Sequence, residues 1–305
     1  MLSDVIIKNW ELDILWNAQI VDTPELVNFP AWTIMLPGEY GVAIPYEGEE
    51  SINESFAGAR IYSNDSLLLE GGERRRVLML MTASRDIQIP FSTLCAGLIA
   101  PGENGEKREK ISSSPISWWK EWKELLGNKN VDARIYDTLG ELCVLRKLIL
   151  AGHDAVWNGP DGASYDIETD KGFFEAKSTL YRDRKEVTIS SQFQLNPPGK
   201  PLSLVLCVFE RSVDSGISID SVIEDIAAMG YNPAVLNGKL EKLGFEPGMS
   251  ARRKRFILHE MLRYNIDESF PRITPASFKE GSLPTGITKI SYTVDLNGLC
   301  SESIL

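Results

Sequence analysis

The sequence predicts a mixed α/β fold that is preceded by a β-rich region. From about residue 130 onward, the hydrophobic pattern gives a long helix, a run of strands, two helices and a final strand, which is typical of a layered α/β core. Before about residue 110, short apolar runs are separated by Gly, Pro, Asn or Asp, as expected for strands and turns. The 305 residues, 43% of them hydrophobic, are enough for one large or two ordinary domains.

Within the first region, we predict strands at residues 32–46, 58–63, 74–83 and 92–100. The polar stretch over 101–115 is interpreted as a surface loop or a domain boundary, because Gly, Pro and Ser interrupt its charged residues. We therefore predict a β-rich domain over 1–115, which recognises DNA or binds a partner, and a second domain over 116–305.

The second region opens with two helical patterns. One spans 116–127, from Ser117 to Gly127, and its tryptophans are interpreted as packing residues, with base stacking as the alternative. The other spans 131–155 and ends near Gly152. The later predictions are strands at 185–195, 201–211 and 287–296, helices at 218–230 and 233–244, and either type at 255–266.

Composition excludes several classes of protein. The net charge of −11 is too acidic for a general nucleic-acid coat, so a polyanion would need a local basic patch or a bound cation. The four cysteines, Cys95, Cys143, Cys207 and Cys300, form no CxxC pair, which favours reduced buried thiols over a zinc site. We see no signal peptide, membrane span or glycine-rich phosphate loop, and expect a cytoplasmic protein that does not itself hydrolyse ATP.

The stretch SYDIETDKGFFEAKST, residues 164–179, carries the clearest candidate site. A two-residue turn at Lys171 and Gly172 would join two antiparallel strands. The predicted opposed pairs are Asp170 with Phe173, Glu168 with Glu175, and Asp166 with Lys177. Because side chains alternate along a strand, Asp166, Glu168, Glu175 and Lys177 then share one face, and Ile167, Phe174 and Ala176 share the other, which can pack on the core.

A charged face of this kind favours a cation. Asp166 and Glu175 would lie close together, and like charges raise the pKa of one carboxylate. Mg²⁺ is held in proteins by one or two carboxylates with waters and substrate phosphate oxygens, and it polarises a phosphoryl oxygen. Lys177 is placed to orient or deprotonate the attacking water, or to stabilise charge on the phosphate. Glu141, on the preceding apolar helix, is a further carboxylate for a metal-bound water or a second ion.

Other interpretations and candidates remain beside this one. The hairpin could instead present a solvated face with cross-strand ion pairs. Arginines near the hairpin and in a later loop-like stretch are candidate phosphate contacts, with a solvated surface as the alternative. These candidates are Arg182, Arg184, Arg252, Arg253 and Arg255. His153 and His259 have no partner at metal-ligand spacing, so a histidine-based zinc or serine-hydrolase mechanism lacks parts.

A helix with Glu141, then Asp166, then a short hairpin into Glu175-x-Lys177, resembles the PD-(D/E)XK nuclease superfamily. The matching stretches are LGELCVLRKLILAG, SYDIETDKGFFEAKST, ISSQFQL and SFPRIT, and the superfamily pattern covers about residues 130 to 210. Most of the chain resembles a bacterial family of PD-(D/E)XK motif proteins of unknown function that is found with restriction and defence genes.

The resemblance implies a restriction-endonuclease-like core, in which helices flank a mixed central sheet, and hydrolysis of DNA phosphodiester bonds with Mg²⁺, or with Mn²⁺ as a substitute. The implied site residues are Asp166, Glu175 and Glu141 as metal ligands, Lys177 as the catalytic lysine, and Gln192 as a polar residue near the metal. A literal Pro160–Asp161 pair also occurs. We favour Asp166 over Asp161 because Asp166 fits the hairpin pairing, whereas Asp161 lies in a turn-like stretch.

We therefore expect a metal-dependent DNA endonuclease that acts in restriction or phage defence. Its expected partners are DNA, a second copy of the chain in a homodimer, and a methyltransferase or an ATP-driven protein that distinguishes host DNA. One alternative is a catalytically inactive nuclease-like scaffold that binds DNA or a protein partner. Another is a nuclease of the same fold that is directed at RNA.

Overall fold

The computed structural model describes residues 1–12, 17–56, 58–70, 72–125, 131–196, 199–278, 281, 283 and 285–305. The chain divides into two compact units, Met1–Lys129 with Glu246–Ser250, and Asn130–Phe245 with Ala251–Leu305. The second unit thus begins later than the boundary expected at residue 116. The reason is that Trp118 and Trp119 are buried in the core of the first unit, as their interpretation as packing residues anticipates. The expected helix end at Gly127 lies outside the described residues.

The first unit consists of a six-stranded antiparallel sheet and four described helices. The helices are α1 (Leu2–Glu11), α2 (Gln88–Ile99), α3 (Glu106–Ser113) and α4 (Pro115–Leu125). The strands are β1 (Ala18–Ile20), β2 (Trp32–Leu36), β3 (Glu39–Pro45), β4 (Asn53–Phe56), β5 (Ala59–Leu68) and β6 (Arg74–Thr82), in the sheet order β1-β2-β3-β6-β5-β4. Trp10, Tyr40 and Phe91 pack against one another in the core between α1, β3 and α2.

The prediction of a strand over 92–100 is wrong, because these residues belong to helix α2. Phe91, Leu94, Cys95 and Leu98 are buried in the core of the first unit. Their spacing of i, i+3, i+4 and i+7 is the helical one. The continuous apolar composition of this segment hid that period from the sequence analysis.

The interpretation of 101–115 as a loop is also corrected, since most of it forms α3 and the start of α4. Arg108 anchors α3 with a side chain that is largely buried. Its guanidinium donates hydrogen bonds to the carbonyl oxygens of Pro30, at 3.0 Å, and of Ile99. A charged residue that serves the core in this way cannot be recognised from polarity alone.

The segment Glu246–Ser250 belongs to the first unit, although it follows α7 in the chain. Asn53 Nδ2 donates a 2.8 Å hydrogen bond to the carbonyl of Pro247, and the N–H of Ser250 donates one of 2.6 Å to Glu54 Oε1. Met249 is buried. Residues that follow most of the second unit in the chain therefore form part of the first unit.

The second unit is built on a mixed six-stranded sheet. Its helices are α5 (Val131–Leu150), α6 (Ile219–Ala228), α7 (Pro233–Lys242) and, apart from its first residue, α8 (Ser250–Arg253). Its strands are β7 (Ala155–Trp157), β8 (Ile167–Thr169), β9 (Phe173–Thr179), β10 (Glu186–Ile189), β11 (Leu202–Ser212), β12 (Arg255–Asn265), β13 (Tyr292–Asp295) and β14 (Glu302–Ser303). The sheet order is β14-β12-β11-β9-β8-β7, in which β9 and β11 are parallel, and β10 pairs with β13 separately.

Strand β11 is buried on both faces of this sheet, as its continuous apolar run predicts. Val205, Cys207 and Phe209 pack in the same core cluster as residues of α5 and α6. Leu204, Leu206 and Val208 pack in a second cluster on the opposite face. The observed layers confirm the predicted α/β class with a mixed central sheet.

Most other predicted elements of the second unit are confirmed, with shorter bounds. Ser218 caps α6, because its hydroxyl oxygen accepts a 3.2 Å hydrogen bond from the N–H of Ser221. The ambiguous segment 255–266 is a strand, whereas 185–195 is a strand only up to Ile189. The four cysteines are free, and Cys300 is the exposed one. None of the described helices has the length and apolar character required to cross a bilayer.

Candidate active site

The hairpin of β8 and β9 holds the candidate site, but its register differs from the predicted one. The observed pairs are Ile167 with Phe174 and Glu168 with Phe173, so the predicted pairs are wrong by two residues. The turn is centred on Asp170 and Lys171. The hydroxyl oxygen of Thr169 fixes it by accepting hydrogen bonds from the N–H groups of Lys171, at 3.2 Å, and Gly172, at 3.1 Å.

A shift of two residues preserves side-chain alternation, so the predicted charged face survives. Asp166 now lies level with Glu175, and its Oδ2 accepts a 2.8 Å hydrogen bond from the N–H of Ala176. Lys177 Nζ lies 2.9 Å from Glu175 Oε1. Glu175 is only 2% exposed, and Asp166 and Lys177 are partly buried, so these three residues form a largely buried cluster. Glu168, on the same predicted face, is partly exposed and pairs with Lys200 at 2.8 Å, as the solvated alternative expects for that residue.

Helix α5 brings Glu141 to the same cluster. Gly140 permits a close approach of the helix to β9, because a Cβ at this position would stand 2.1 Å from Ser178 Oγ. The indole Nε1 of Trp157, a buried residue of β7, donates a 2.6 Å hydrogen bond to Glu141 Oε2. The longest helix, an edge strand and the hairpin thus all contribute to one site.

Gly159 keeps the space between two of the carboxylates free of side-chain atoms. A Cβ at this position would stand 2.6 Å from Glu141 Oε2 and 3.0 Å from Asp166 Oδ1. The backbone is held there because the carbonyl of Asp166 accepts hydrogen bonds from the N–H groups of Asn158, at 2.7 Å, and Gly159, at 3.0 Å. One point therefore lies within 3.0 Å of both carboxylate oxygens, and glycine leaves it open. The sequence analysis did not single out Gly159.

Burial raises the pKa values of the three carboxyl groups, and the charge of Asp166 adds to the shift of two of them. Burial, reinforced by the charge of Asp166, raises the pKa of Glu175 to about 7. The same two causes raise the pKa of Glu141 well above its ordinary value. Burial also raises the pKa of Asp166. Lys177 is the single cation that the described residues place against them, so the cluster retains an excess of negative charge.

Lys177 is a cation at neutral pH in this environment. Burial acts to lower its pKa, but the charges of Glu175, Asp166 and Asp137 outweigh burial and raise it. Asp137 is a member of the cluster that the sequence analysis missed. Desolvation raises the pKa of Asp137 to about 6, with Lys177 opposing and Asp166 reinforcing the shift, although the residue remains exposed. Its position four residues before Glu141 places both on one helix face, a signal that was present in the sequence.

The comparisons with known proteins agree with this geometry. A family model described as "Putative PD-(D/E)XK family member, (DUF4420)" matches residues 14–297. The chain belongs to this family. The comparison with curated proteins and the comparison with solved structures each found no match. The resemblance inferred from the sequence is therefore confirmed, and the chain has a nuclease-like α/β fold of the PD-(D/E)XK type.

The literal Pro-Asp pair of this PD-(D/E)XK family member is neutralised by the protein itself. Lys239 Nζ lies 2.8 Å from Asp161 Oδ2, and Lys242 Nζ lies 2.6 Å from Asp161 Oδ1. Hydrogen bonds from these two lysines lower the pKa of Asp161 to about 2. Lys239 also donates to the carbonyl oxygen of Trp157, so it ties the loop to the strand before it. This geometry supports Asp166, and not Asp161, as the aspartate that faces a metal.

Gln194, and not Gln192, contacts the cluster. Gln194 Nε2 donates a hydrogen bond to Glu175 Oε1, whereas the buried amide of Gln192 bonds the backbone of residues 288 and 290. The structure therefore corrects the expectation that Gln192 lies near the metal. The segment after Ile189 is a turn and not a strand, so strand alternation could not distinguish the two glutamines.

The candidate DNA-contacting arginines separate into one buried residue and several exposed ones. Arg252 is 3% exposed, and its guanidinium bonds Asp220 and Asn237 at 2.7 Å each, so the expectation for Arg252 is corrected to a structural role. Arg253 is exposed. The remaining contacts are Arg182 with Glu210 at 3.8 Å, Arg184 with Glu186 at 2.8 Å, and Arg255 with the carbonyl of Gly216 at 3.0 Å. These exposed arginines stay predictions.

The donor atoms of the cluster suit Mg²⁺, although they do not form a finished metal site. Within the described ranges, no three His, Cys, Asp or Glu side chains are placed to hold a metal ion together. Mg²⁺ requires fewer, because one or two carboxylates hold it while waters and substrate phosphate oxygens complete the shell. Glu141 and Asp166 meet this condition at the point that Gly159 leaves open. The residues present therefore fit a magnesium ion, with Glu175 as a further carboxylate beside it.

Proposed function

We propose that this protein is a Mg²⁺-dependent endonuclease that hydrolyses phosphodiester bonds in DNA. The observation that supports the proposal most strongly is the largely buried cluster of Glu141, Asp166 and Glu175 with Lys177. Burial raises the pKa values of its carboxyl groups, and the charge of Asp166 adds to the shifts of Glu141 and Glu175, so a hard cation would favour their ionised forms. Perturbed titratable groups of this kind are concentrated at functional sites.

Each residue of the cluster has a distinct role in this proposal. Glu141 and Asp166, with Glu175 beside them, would hold the ion, which would supply positive charge to polarise a phosphoryl oxygen. Lys177 stabilises the charge that develops on the phosphate, because its raised pKa keeps it protonated and makes it a poor base. Gln194 and Lys177 orient Glu175 by contacts to its Oε1.

A plasmid-nicking assay with Mg²⁺ or Mn²⁺ tests the proposal. We expect wild-type cleavage to require the metal, and Lys177→Ala to reduce the rate by about 10²- to 10³-fold, the usual cost of removing one such charge-stabilising group. Lys185→Ala is the matched control, since Lys185 also forms an ion pair, with Glu260 at 2.7 Å, and lies outside the cluster. Cleavage that is independent of metal, or unchanged in Lys177→Ala, contradicts the assignment.

A nuclease-like scaffold without activity is the second candidate, because among the described residues no three His, Cys, Asp or Glu side chains are placed to hold a metal ion together. Metal binding separates the two candidates. The enzyme should bind Mg²⁺ or Mn²⁺ in calorimetry and lose this binding in Asp166→Ala and Glu175→Ala, whereas a scaffold should bind DNA or a protein equally well with and without metal. The same assay with matched RNA and DNA strands decides between the two substrates.

We further propose a role in restriction or phage defence, which the family resemblance supports. Such an enzyme must spare host DNA, through a methyltransferase or an ATP-driven partner protein, and the first unit would bind that partner or recognise DNA. A homodimer would supply the two sites needed to cut both strands. Phage plating on cells that carry the wild-type gene, compared with Lys177→Ala, tests the role, and equal plating contradicts it.

A further inference from the structure

The turn over residues 190–196 is held by side-chain hydrogen bonds on both sides of Phe193. On one side, the side chain of Gln192 is buried, and its amide bonds the carbonyl of Thr288, at 3.5 Å, and the N–H of Ile290, at 3.1 Å. On the other side, Gln194 Oε1 accepts a 2.7 Å hydrogen bond from the N–H of Ser190, while its Nε2 donates to Glu175. The turn therefore has a defined position beside the carboxylate cluster.

Phe193 lies between these two anchors and points its ring away from the core. It is 57% exposed and is the one phenylalanine among the described residues that is exposed. Its own backbone is also fixed, because its N–H bonds Ser191 Oγ at 3.3 Å and its carbonyl accepts from the N–H of Asn196 at 3.1 Å. Single exposed apolar side chains are common on protein surfaces, but this ring stands next to Gln194, whose amide bonds Glu175 of the candidate site.

We propose that Phe193 forms a stacking site for a nucleobase next to the scissile phosphate. The proposal rests on the proposed nuclease function and adds the class of substrate. A phenylalanine ring binds a base through its face. The bases of an intact duplex already use both faces in the stack, so the ring can engage a base that is unpaired or turned out of the helix. The site would therefore prefer single-stranded DNA, a frayed end or a flap over a continuous duplex.

The acidic charge of the chain favours a nucleic-acid contact that requires no cation, for single strands as for duplexes. Duplex DNA is bound largely through phosphate contacts by Lys and Arg, but this chain carries a net charge of −11. The described candidate arginines Arg182 and Arg184 already pair with Glu210 and Glu186. Stacking does not depend on positive charge, and it contributes to the binding of single strands without sequence preference.

Binding of oligonucleotides that contain the fluorescent base 2-aminopurine tests the inference. The parent for this test is Lys177→Ala with Mg²⁺, which we expect to bind DNA and to cut it too slowly to matter during the measurement. The parent should quench 2-aminopurine in a single strand and bind that strand more tightly than a blunt duplex of the same sequence. Adding Phe193→Ala should remove the quenching and weaken single-strand binding by about 10-fold, whereas Phe193→Trp should retain both.

Tyr181→Ala is the matched control, because Tyr181 is also an exposed aromatic residue, at 71%, and its N–H likewise bonds a hydroxyl two residues earlier, Thr179 Oγ1 at 3.1 Å, but it does not adjoin Gln194, the residue that bonds Glu175. It should leave the quenching and the affinity unchanged. If Phe193→Ala binds as the parent does, with the same preference for single strands, the stacking site is wrong while the nuclease assignment stands on the nicking assay. If the parent binds neither single nor double strands, the stacking site and the proposed DNA substrate both fail.

Discussion

Two aspartates five residues apart, Asp161 and Asp166, have opposite electrostatic environments. Asp161 is contacted by Lys239 and Lys242, and its pKa falls to about 2. Asp166 is buried among other carboxyl groups, and its pKa is raised. The protein supplies two lysines to the first aspartate, whereas the second shares the single Lys177 with other carboxyl groups. The difference teaches that a carboxylate without a sufficient built-in counter-charge, and not the one that matches a motif by its letters, marks the place for an external cation.

The largest effect should come from replacing these aspartates in turn. We expect Asp166→Asn to lower DNA cleavage by more than about 100-fold, the upper end of the loss seen when an outer-shell partner of a metal is removed. Asp161→Asn should retain most of the activity, since its carboxylate faces lysines. Nicking rates at saturating Mg²⁺ measure both. Equal losses of cleavage in the two variants would contradict the assignment of Asp166, and not Asp161, to the metal.

Filling the space that Gly159 leaves open should reduce cleavage nearly as much as replacing Asp166. Gly159→Ala places a methyl group 2.6 Å from Glu141 Oε2, and we expect a loss of cleavage and of Mg²⁺ affinity of about 100-fold. Gly238→Ala is the control, because a Cβ there meets no atom within 4 Å, and alanine in helix α7 should be neutral or stabilising. Full Mg²⁺ affinity in Gly159→Ala would show that the metal lies elsewhere.

The carboxyl cluster around Asp166 and the ion-paired Asp161 should make the free energy of unfolding depend on pH in opposite directions. The folded metal-free cluster binds more protons than the unfolded chain, because the pKa of Glu175 is raised from 4.5 to about 7. The free energy of unfolding should therefore fall as pH rises through this interval, by an amount on the order of 2 kcal/mol. Asp161, with its lowered pKa, instead contributes stability above its ordinary pKa that is lost as pH falls towards 2.

Urea unfolding in a chelating buffer between pH 4.5 and 7.5 checks this prediction. Glu175→Gln should flatten the fall, and added Mg²⁺ should reverse it at the upper end, because a bound cation favours the ionised carboxylates. A metal-free protein whose stability rises across the interval would mean that the cluster is adequately neutralised by its own residues.

A smaller effect should separate the two lysines that hold Asp161. Lys239 is the more buried, with 13% exposure against 61% for Lys242, and it alone of the two also bonds the carbonyl of Trp157. We expect Lys239→Ala to lower cleavage by about 10-fold, because the loop that carries Gly159 loosens. Lys242→Ala should stay within about twofold of wild type, as exposed ion pairs contribute little. Identical cleavage rates in the two variants would show that the loop that carries Gly159 keeps its position without Lys239.

Sequence periodicity predicted those parts of the fold in which one period dominates. Strand β11 and helices α5 and α6 follow from their apolar patterns, as does the shared face of Asp166, Glu175 and Lys177. The hairpin register did not follow, because the hydroxyl of Thr169 moves the turn by one residue. The shared face survived this error since a two-residue slip of the pairing returns each side chain to its original side.

The rest of the site depends on contacts that no pattern records. Gln192 and Gln194 are alike in the sequence, and only the turn decides which of them reaches Glu175. Arg252 lies in a basic stretch of the sequence, but its guanidinium is hydrogen-bonded to Asp220 and Asn237. The place of Asp137 beside Glu141 could have been predicted from their helical spacing. The role of Gly159 could not, because it depends on the space between two segments that are distant in the sequence.

The segment Glu246–Ser250 imposes an order on biosynthesis. Ser250 provides the N–H that bonds the buried Glu54, yet the ribosome reaches it only after most of the other unit, roughly ten seconds after Lys129 at usual elongation rates. During that interval the nascent first unit lacks the buried Met249 and the hydrogen-bond partner of Glu54. A gene fragment that stops at Lys129 would keep the unit unfinished permanently, so expression of separate halves should carry residues 246–250 as a supplied peptide.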